Sequence, residues 1–436
     1  PRGAPLGEAR ARTALARLEA EGSAIRLADG TWCARHLLVR LHAASRGRRR
    51  RAVTPASIGD LVRFLAGWQH VAPGSGLEGR AGLLAVVEQL QGIELPAGDW
   101  ESHVLPARVP GYDPRWLDEL CLSGEVAWGR LTPRPDGAPA GVRPGEVPPA
   151  SRRGSASPSP ATPLALVLRA DLAWQLDAVR TGEPAPEPPA GPSADVLAAL
   201  RDVGACFRSD LAPASGRLPA EVDEGLWDLV ARGLVTADAF SAVRSLLSAR
   251  ERWRARQRRL PPGRSRLGRR RAPVGTGHGE GRWAILPAVA GVAAAPGDNG
   301  PAPDRTAPPA EELAEAVAGQ LLLRWGVVAW ELWGREPYRV PWRDVVRALR
   351  RFEARGVALG GRFVAGLSGE QYALEEAAGA LARLRGAAPE GVEVTVAATD
   401  PLNLTGTVLP GRRVPAVRHR QVTYRDGSLV PERSAG

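Results

Sequence analysis

The chain contains no Met and no Lys, so every one of its 58 basic residues is Arg. Without Lys there is no Walker-type phosphate loop, no Schiff-base catalysis and no Lys-based nicking of a DNA strand. The missing initiator Met leads us to expect a piece of a longer protein. Cysteine is sparse: Cys33, Cys121 and Cys206 lie far apart and form no CxxC. That argues against a zinc ribbon or a disulfide framework and for a reducing, cytoplasmic setting. No apolar run reaches the ~18 residues of a membrane-spanning helix, so no membrane association is expected. Residues 1–20 mix Arg and Glu at helical spacing, unlike a signal peptide. The six His include no HExxH or close pair, Cys33 and His36 lack a partner pair, and no GxSxG occurs. Metal chemistry and a hydrolase elbow are therefore not expected. The Gly-rich stretch at 275–279 has no flanking strand or helix and reads as a loop.

What the chain does have is length, apolar content and positive charge. Its 436 residues are 44% hydrophobic, enough for roughly two to four domains with real cores. The net charge of +11 is unevenly spread. Residues 250–271 carry eleven Arg against a single acid, Glu251. A second cluster is Arg46, Arg48, Arg49, Arg50 and Arg51. A third is Arg412, Arg413, Arg418, Arg420 and Arg425, with no acid between Pro401 and Arg425. Local clusters like these suit polyanion binding, or else a solvated linker. Of the 13 Trp, most sit in apolar stripes (Trp32, Trp68, Trp128, Trp227, Trp325, Trp330 and Trp333) and read as core. Trp253 lies inside the Arg run, where it either packs or stacks on a base while Arg254, Arg258 and Arg259 hold phosphates.

Pro-rich stretches at 132–163, 181–193 and 291–309 break the chain into segments. Between them one pattern recurs: a helix, a Gly stop, a short strand and often a turn and second strand. The stops are Gly22, Gly124, Gly233 and Gly356, at domain-sized spacing. Trp342, Val345, Val346, Leu349 and Phe352 make one apolar stripe on a helix. Gly356 falls where a helix ends in the left-handed conformation. Asp29-Gly30 and Gly360-Gly361 suit tight hairpins. Helical spacing also runs from Glu311 to Trp325 and from Ser57 to Trp68. Helix, Gly stop, strand, hairpin and strand is the C-terminal half of a winged helix. In the tail, Val392, Val394 and Val396 alternate with polar residues, and Thr405–Leu409 and Gln421–Tyr424 are further strand candidates.

The expected fold class is mostly α with small β: tandem winged-helix domains plus a C-terminal β-barrel-like module. The expected segments are a partial winged helix (1–45), a helical connector (46–104), and a winged-helix-like unit with a Pro-rich insert (105–190). A winged helix with an Arg-rich linker (191–300), another winged helix (301–386) and a β-rich module (387–436) complete the chain.

Two acids in the tail are candidate catalytic groups. Asp426 precedes Gly427, the preferred pair of a two-residue turn; Asp400 precedes Pro401 and suits a turn or helix cap. Either could instead be a carboxylate that activates water and stabilises an oxocarbenium-like sugar as a base leaves.

Several strings, in order, resemble a known family. They include Trp32-Cys33-Ala34-Arg35, Phe64-Leu65-Ala66-Gly67-Trp68-Gln69-His70, and the run from Gly82 to Gly92. Leu105-Pro106-Ala107-Arg108, Tyr112-Asp113 and Ser123 to Arg130 follow. Gly361 to Gly366, Ser368 to Leu374 and Ala398 to Leu404 are the last. Together they resemble the C-terminal region of Lhr, the bacterial large helicase-related proteins. The resemblance implies winged helices with a β-barrel module, similar to winged-helix DNA glycosylases of the AlkZ kind. It further implies self-association and DNA repair, with uracil–DNA glycosylase activity in some members and the family's C-terminal acid at Asp426. ATP and Mg would belong to a helicase core outside this stretch, and this stretch itself would need no cofactor. The expected function is a DNA-binding, oligomerising module of an ATP-dependent repair helicase, with single-stranded or damaged duplex DNA as partner. The alternative is a monofunctional DNA glycosylase.

Overall fold

The computed structural model describes residues 7–133, 159–183, 185–248, 281–287 and 308–431. One unit occurs three times, built of helices and a small antiparallel sheet with the same strand order. In the first, helix Gly79–Leu90 leads to strand Leu95–Pro96, a helical run over 97–108, helix Pro114–Leu122, and strands Val126–Gly129 and Pro163–Leu168. The second uses helices Pro192–Val203, Arg208–Ser215 and Pro219–Arg232 with strands Cys206–Phe207, Val235–Ala237 and Arg282–Ile285. The third uses helices Ala310–Trp325, Trp330–Trp333 and Trp342–Arg355 with strands Val327–Val328, Leu359–Gly361 and Gln371–Ala373. In each sheet the last strand lies between the other two. This is winged-helix topology, with the final helix before the hairpin in the recognition position. The first unit begins upstream of the 104/105 boundary drawn from sequence, because Leu95 pairs with Leu164 across the sheet.

The glycine stops are legible in physical terms. Gly22, Gly124, Gly233 and Gly356 all take left-handed φ, at +71°, +80°, +74° and +78°. Each follows a helix whose next residues turn sharply into a strand, a geometry that costs an L side chain about 1–2 kcal/mol. At the N-terminus, helix Glu8–Ala20 runs through Gly22 into strands Ala24–Arg26 and Trp32–Ala34, joined over Asp29-Gly30. Helix Ile58–Trp68 starts at Ser57, whose side chain accepts from the Asp60 N–H while Asp60 accepts from the Ser57 N–H.

Gly360-Gly361 does not form the expected hairpin turn. Both glycines lie inside strand Leu359–Gly361, whose partner is Gln371–Ala373 rather than Phe363-Val364. The reason is close approach: a Cβ on Gly360 would stand 2.6 Å from Glu353 Oε1 and 2.7 Å from Arg50 Nε. The loop that follows is pinned by buried Gln371, whose Oε1 accepts from the N–H groups of Phe363 and Val364, each at 2.8 Å. The tail is an open three-stranded meander, Glu393–Ala397, Gln421–Arg425 and Ser428–Leu429. Thr405 and Leu409 share only an isolated bridge, and the described residues form no closed barrel.

The apolar residues gather into two cores. One joins the first two winged helices, with Trp100, Trp128, Trp227 and Trp283 fully buried. The other joins the third to helices Ile58–Trp68 and Leu172–Arg180 and to the tail. Trp330 departs from the expected core role, being 48% exposed.

Two glycine substitutions separate strain from collision. A methyl added at Gly124 would have no neighbouring atom nearer than 3.8 Å, whereas one at Gly233 would meet Arg130 O at 2.5 Å. Gly124→Ala is expected to lower unfolding free energy by about 1 kcal/mol, and Gly233→Ala by clearly more. Urea unfolding of the two variants checks the order; equal midpoints would contradict it.

Candidate nucleic-acid interface

The Arg46–Arg51 cluster sits in the last turns of helix Arg35–Ala52, where guanidinium groups oppose the negative end of the helix dipole. Arg48, Arg49 and Arg51 are exposed. Arg50 turns inward instead. Its Nε donates to Glu353 Oε1 at 2.8 Å, its Nη1 to Glu370 Oε1 at 3.2 Å, and its guanidinium stands over the Tyr372 ring. The Glu353 hydrogen bond leads in raising its pKa above the ordinary arginine value. Arg50 therefore docks the helix on the third winged helix, while its neighbours face solvent.

In the tail, Arg412, Arg413 and Arg420 are exposed. The Arg413 backbone packs on Gly406, where a Cβ would stand 2.6 Å from Arg413 Cα. Arg418 anchors the segment by donating to buried Asp99 at 2.7 Å. Trp253, Arg254, Arg258 and Arg259 lie outside the described residues. No cluster of three His, Cys, Asp or Glu side chains able to hold a metal occurs among the described residues.

The two candidate acids are far from equivalent. Asp400 is buried and grips Arg108 with both oxygens, at 2.7 and 2.9 Å. Its Oδ1 also accepts from the Leu402 N–H at 2.9 Å. Asp400 thus joins the tail to the first winged helix, with no oxygen open to solvent. Asp426 occupies the last hairpin at φ +47°. Its carboxylate accepts from the N–H groups of Glu390, Gly391 and Val392 at 3.1, 2.9 and 3.3 Å. Partial desolvation pushes its pKa up, but these three donors and nearby Arg63 prevail and hold it below 3.8. Asp426 stays ionised and partly accessible.

The residues that sequence reasoning missed are buried arginines at the seams. Arg324 Nε donates to the Gln89 carbonyl at 3.3 Å, and its Nη2 bonds the Gln91 carbonyl, both at the C-terminus of helix Gly79–Leu90. Its Nη1 pairs with Glu336. Arg130 donates to Ala231 O at 2.9 Å and Arg180 to Gly233 O at 2.8 Å, at the C-terminus of helix Pro219–Arg232. Arg180 also donates to the carbonyls of Leu131 and Arg130. Burial lowers the Arg180 pKa to about 10, which leaves it charged at neutral pH. In each case a guanidinium donates to a carbonyl that a helix end leaves without an intrahelical partner, and Arg324 and Arg180 reach more than one acceptor. The available signal was an Arg set within an apolar run, as in Leu321-Leu322-Leu323-Arg324-Trp325.

Comparison with known proteins places these units in context. Residues 56–143 and residues 307–393 each match a family model described as large helicase-related protein, winged-helix domain. A Mycolicibacterium smegmatis protein named Lhr helicase/probable uracil glycosylase is 32% identical over 455 residues, covering 98% of this chain and 27% of that protein. An Escherichia coli protein named Lhr helicase/uracil glycosylase is 28% identical over 469 residues, covering 99% of this chain and 26% of its own length. The chain spans about a quarter of the length of these relatives.

The contrast between the two acids is testable. Asp400→Asn leaves the buried Arg108 charge uncompensated, and is expected to cost about 3–5 kcal/mol of stability in urea unfolding. Asp426→Asn should leave the unfolding midpoint near wild type and speed amide exchange at residues 390–392. Because the Asp426 pKa is depressed, the stabilisation it adds is present above its ordinary value of 3.8 and is lost as pH falls through the lower folded value. Amide protection at 390–392 that disappears already near pH 6 would contradict that assignment.

Proposed function

Since this chain belongs to the large helicase-related (Lhr) family, as part of its C-terminal region, we propose that it binds DNA and self-associates in the service of an ATP-dependent repair helicase. The observation that carries this reading is the division among its arginines. Arg48, Arg49 and Arg51 at one helix end, and Arg412 and Arg413 in the tail, are exposed beside winged-helix units that present a recognition-position helix. Guanidinium groups so placed release counterions from a phosphate backbone, which makes binding strongly salt-dependent. Sequence-independent backbone contact suits a repair module that must engage many sites. Self-association is supported by exposed Leu37 and Leu41, one turn apart on helix Arg35–Ala52, with exposed Leu18 nearby in sequence. ATP and Mg would act in a helicase core outside this stretch.

A second reading is base excision, favoured by the names of both relatives and by the accessibility of Asp426. An ionised carboxylate fixed by three N–H groups is a weak base but a good electrostatic partner. Its role would be to stabilise positive charge at the sugar C1′ as the C1′–N bond breaks and water adds. Asp400, with both oxygens engaged by Arg108, serves structure in this scheme.

Two measurements test these readings. The logarithm of DNA affinity should fall steeply with the logarithm of salt concentration, and Arg48→Gln and Arg49→Gln should each flatten the slope by about one unit. A flat wild-type slope would remove the arginine argument. For the second reading, uracil-containing DNA is incubated with the chain and abasic sites are then cleaved with alkali. Product that vanishes in Asp426→Asn supports excision by this acid; product that persists unchanged takes Asp426 out of the mechanism.

A further inference from the structure

A groove crosses the recognition-position helix of the third winged helix. One wall is Trp330 of the short helix Trp330–Trp333; the floor is Trp342, Val346 and Arg350 of helix Trp342–Arg355. The other wall is the loop segment 368–370 of the wing. Its volume of about 480 Å³ accommodates a planar base with its sugar. Trp330 is held rather than loose. Its ring packs edge-on to Trp342 at 5.8 Å, and Trp342 in turn stacks on Trp333 at 5.8 Å. The Ser368 N–H donates to Glu331 Oε1 at 2.8 Å, fixing the wing loop to the helix that carries Trp330. A half-exposed indole presented on a rigid aromatic stack is a poor outcome for a core residue, and a good platform for another π-face.

A second groove adjoins the first, and Arg350 lines both. The second is bounded by Arg46, Gly47 and Arg50 of helix Arg35–Ala52 together with Glu353. The two acids that line the grooves are each paired with a lining arginine, which leaves Arg46 as the surplus positive charge among the lining residues. Glu353 pairs with Arg50, while Glu370 accepts from Arg350 at 3.0 Å and from the Tyr372 hydroxyl at 2.7 Å. Arg343 and Arg347 of the same helix, with side chains 77% and 65% exposed, share Asp344 between them. An aromatic slot beside a groove lined by Arg46, Arg50 and Arg350 matches the chemistry of one strand: a base with its π-face exposed, followed by phosphates. A paired duplex would keep its bases stacked away from the slot.

We propose that these two adjoining grooves bind an unpaired strand of DNA, with one base stacked on Trp330 and the adjoining phosphates running past Arg350 towards Arg46. This rests on the DNA-binding reading above and adds to it the site and the form of nucleic acid taken. The test is fluorescence anisotropy on the full chain with an oligothymidylate of about 16 nucleotides and with a duplex of equal length. Trp330→Ala should weaken oligothymidylate binding roughly tenfold or more, leave duplex binding unchanged, and leave the salt slope unchanged, since it removes no charge. Trp330→Phe should stay within about twofold of wild type, because a stacking face remains. Arg350→Gln should weaken binding and lower the salt slope by about one unit. Unchanged oligothymidylate binding by Trp330→Ala overturns the slot even where wild-type binding is tight and salt-dependent. Sedimentation in which Trp330→Ala loses self-association while binding the strand normally also overturns it, and assigns the groove to a second copy. A wild-type chain that binds neither oligonucleotide instead overturns the DNA-binding reading on which the slot depends.

Discussion

Arginine forks at the ends of buried helices hold this molecule together. A helix leaves its last carbonyls without intrahelical partners, and a carbonyl buried without a donor costs about 1–3 kcal/mol. Where two winged helices meet, such carbonyls are trapped at the seam. Arg324 reaches from the third unit to the end of helix Gly79–Leu90 in the first. Arg130 and Arg180 do the same for helix Pro219–Arg232 in the second. Gln69 links the Arg324 seam to the Arg108–Asp400 pair, donating to Arg324 O at 3.0 Å while its Oε1 accepts from Arg108 at 3.3 Å. A lysine ammonium, as a point charge, could not span two carbonyls and a carboxylate in one plane. In a chain with no Lys, this geometry is available wherever a basic residue falls at a junction.

The same residue type therefore does two separate jobs. Buried guanidinium groups fix the relative positions of the winged helices; exposed ones then form a charge pattern on a fixed frame. Arg50 stands between the two roles, docking one helix by Glu353 and Glu370 while Arg48, Arg49 and Arg51 beside it face water. The docked helix sets Arg46 on the same groove as Arg350 of the third winged helix. Charge counting along the sequence treats these arginines alike. Their partners decide what each one does.

What could be read from the sequence was local. Gly22, Gly124, Gly233 and Gly356 mark helix ends through a backbone rule that needs no knowledge of distant contacts. The helical spacing from Ser57 to Trp68 and the alternating valines of Glu393–Ala397 are equally short-range. Pairing across long separations was not legible. Asp400 reads as a turn residue until Arg108, 292 positions away, is found against it. Gly360-Gly361 reads as a hairpin until Arg50 is seen lying across the strand. Trp330 shares an apolar pattern with buried tryptophans, and only the packing of Trp342 and Trp333 beneath it leaves its ring outside. The family likeness supplied the winged-helix frame, but neither it nor the periodicity located the buried forks.

If the forks bind the units into one body, protection against unfolding must be shared among them. Hydrogen exchange under increasing urea reads this directly at helices Gly79–Leu90, Pro219–Arg232 and Trp342–Arg355. The account predicts that all three lose protection in one transition, and that Arg324→Gln releases the third helix at a lower urea concentration than the other two. Three separate transitions in the unsubstituted chain, unaffected by Arg324→Gln, would contradict it.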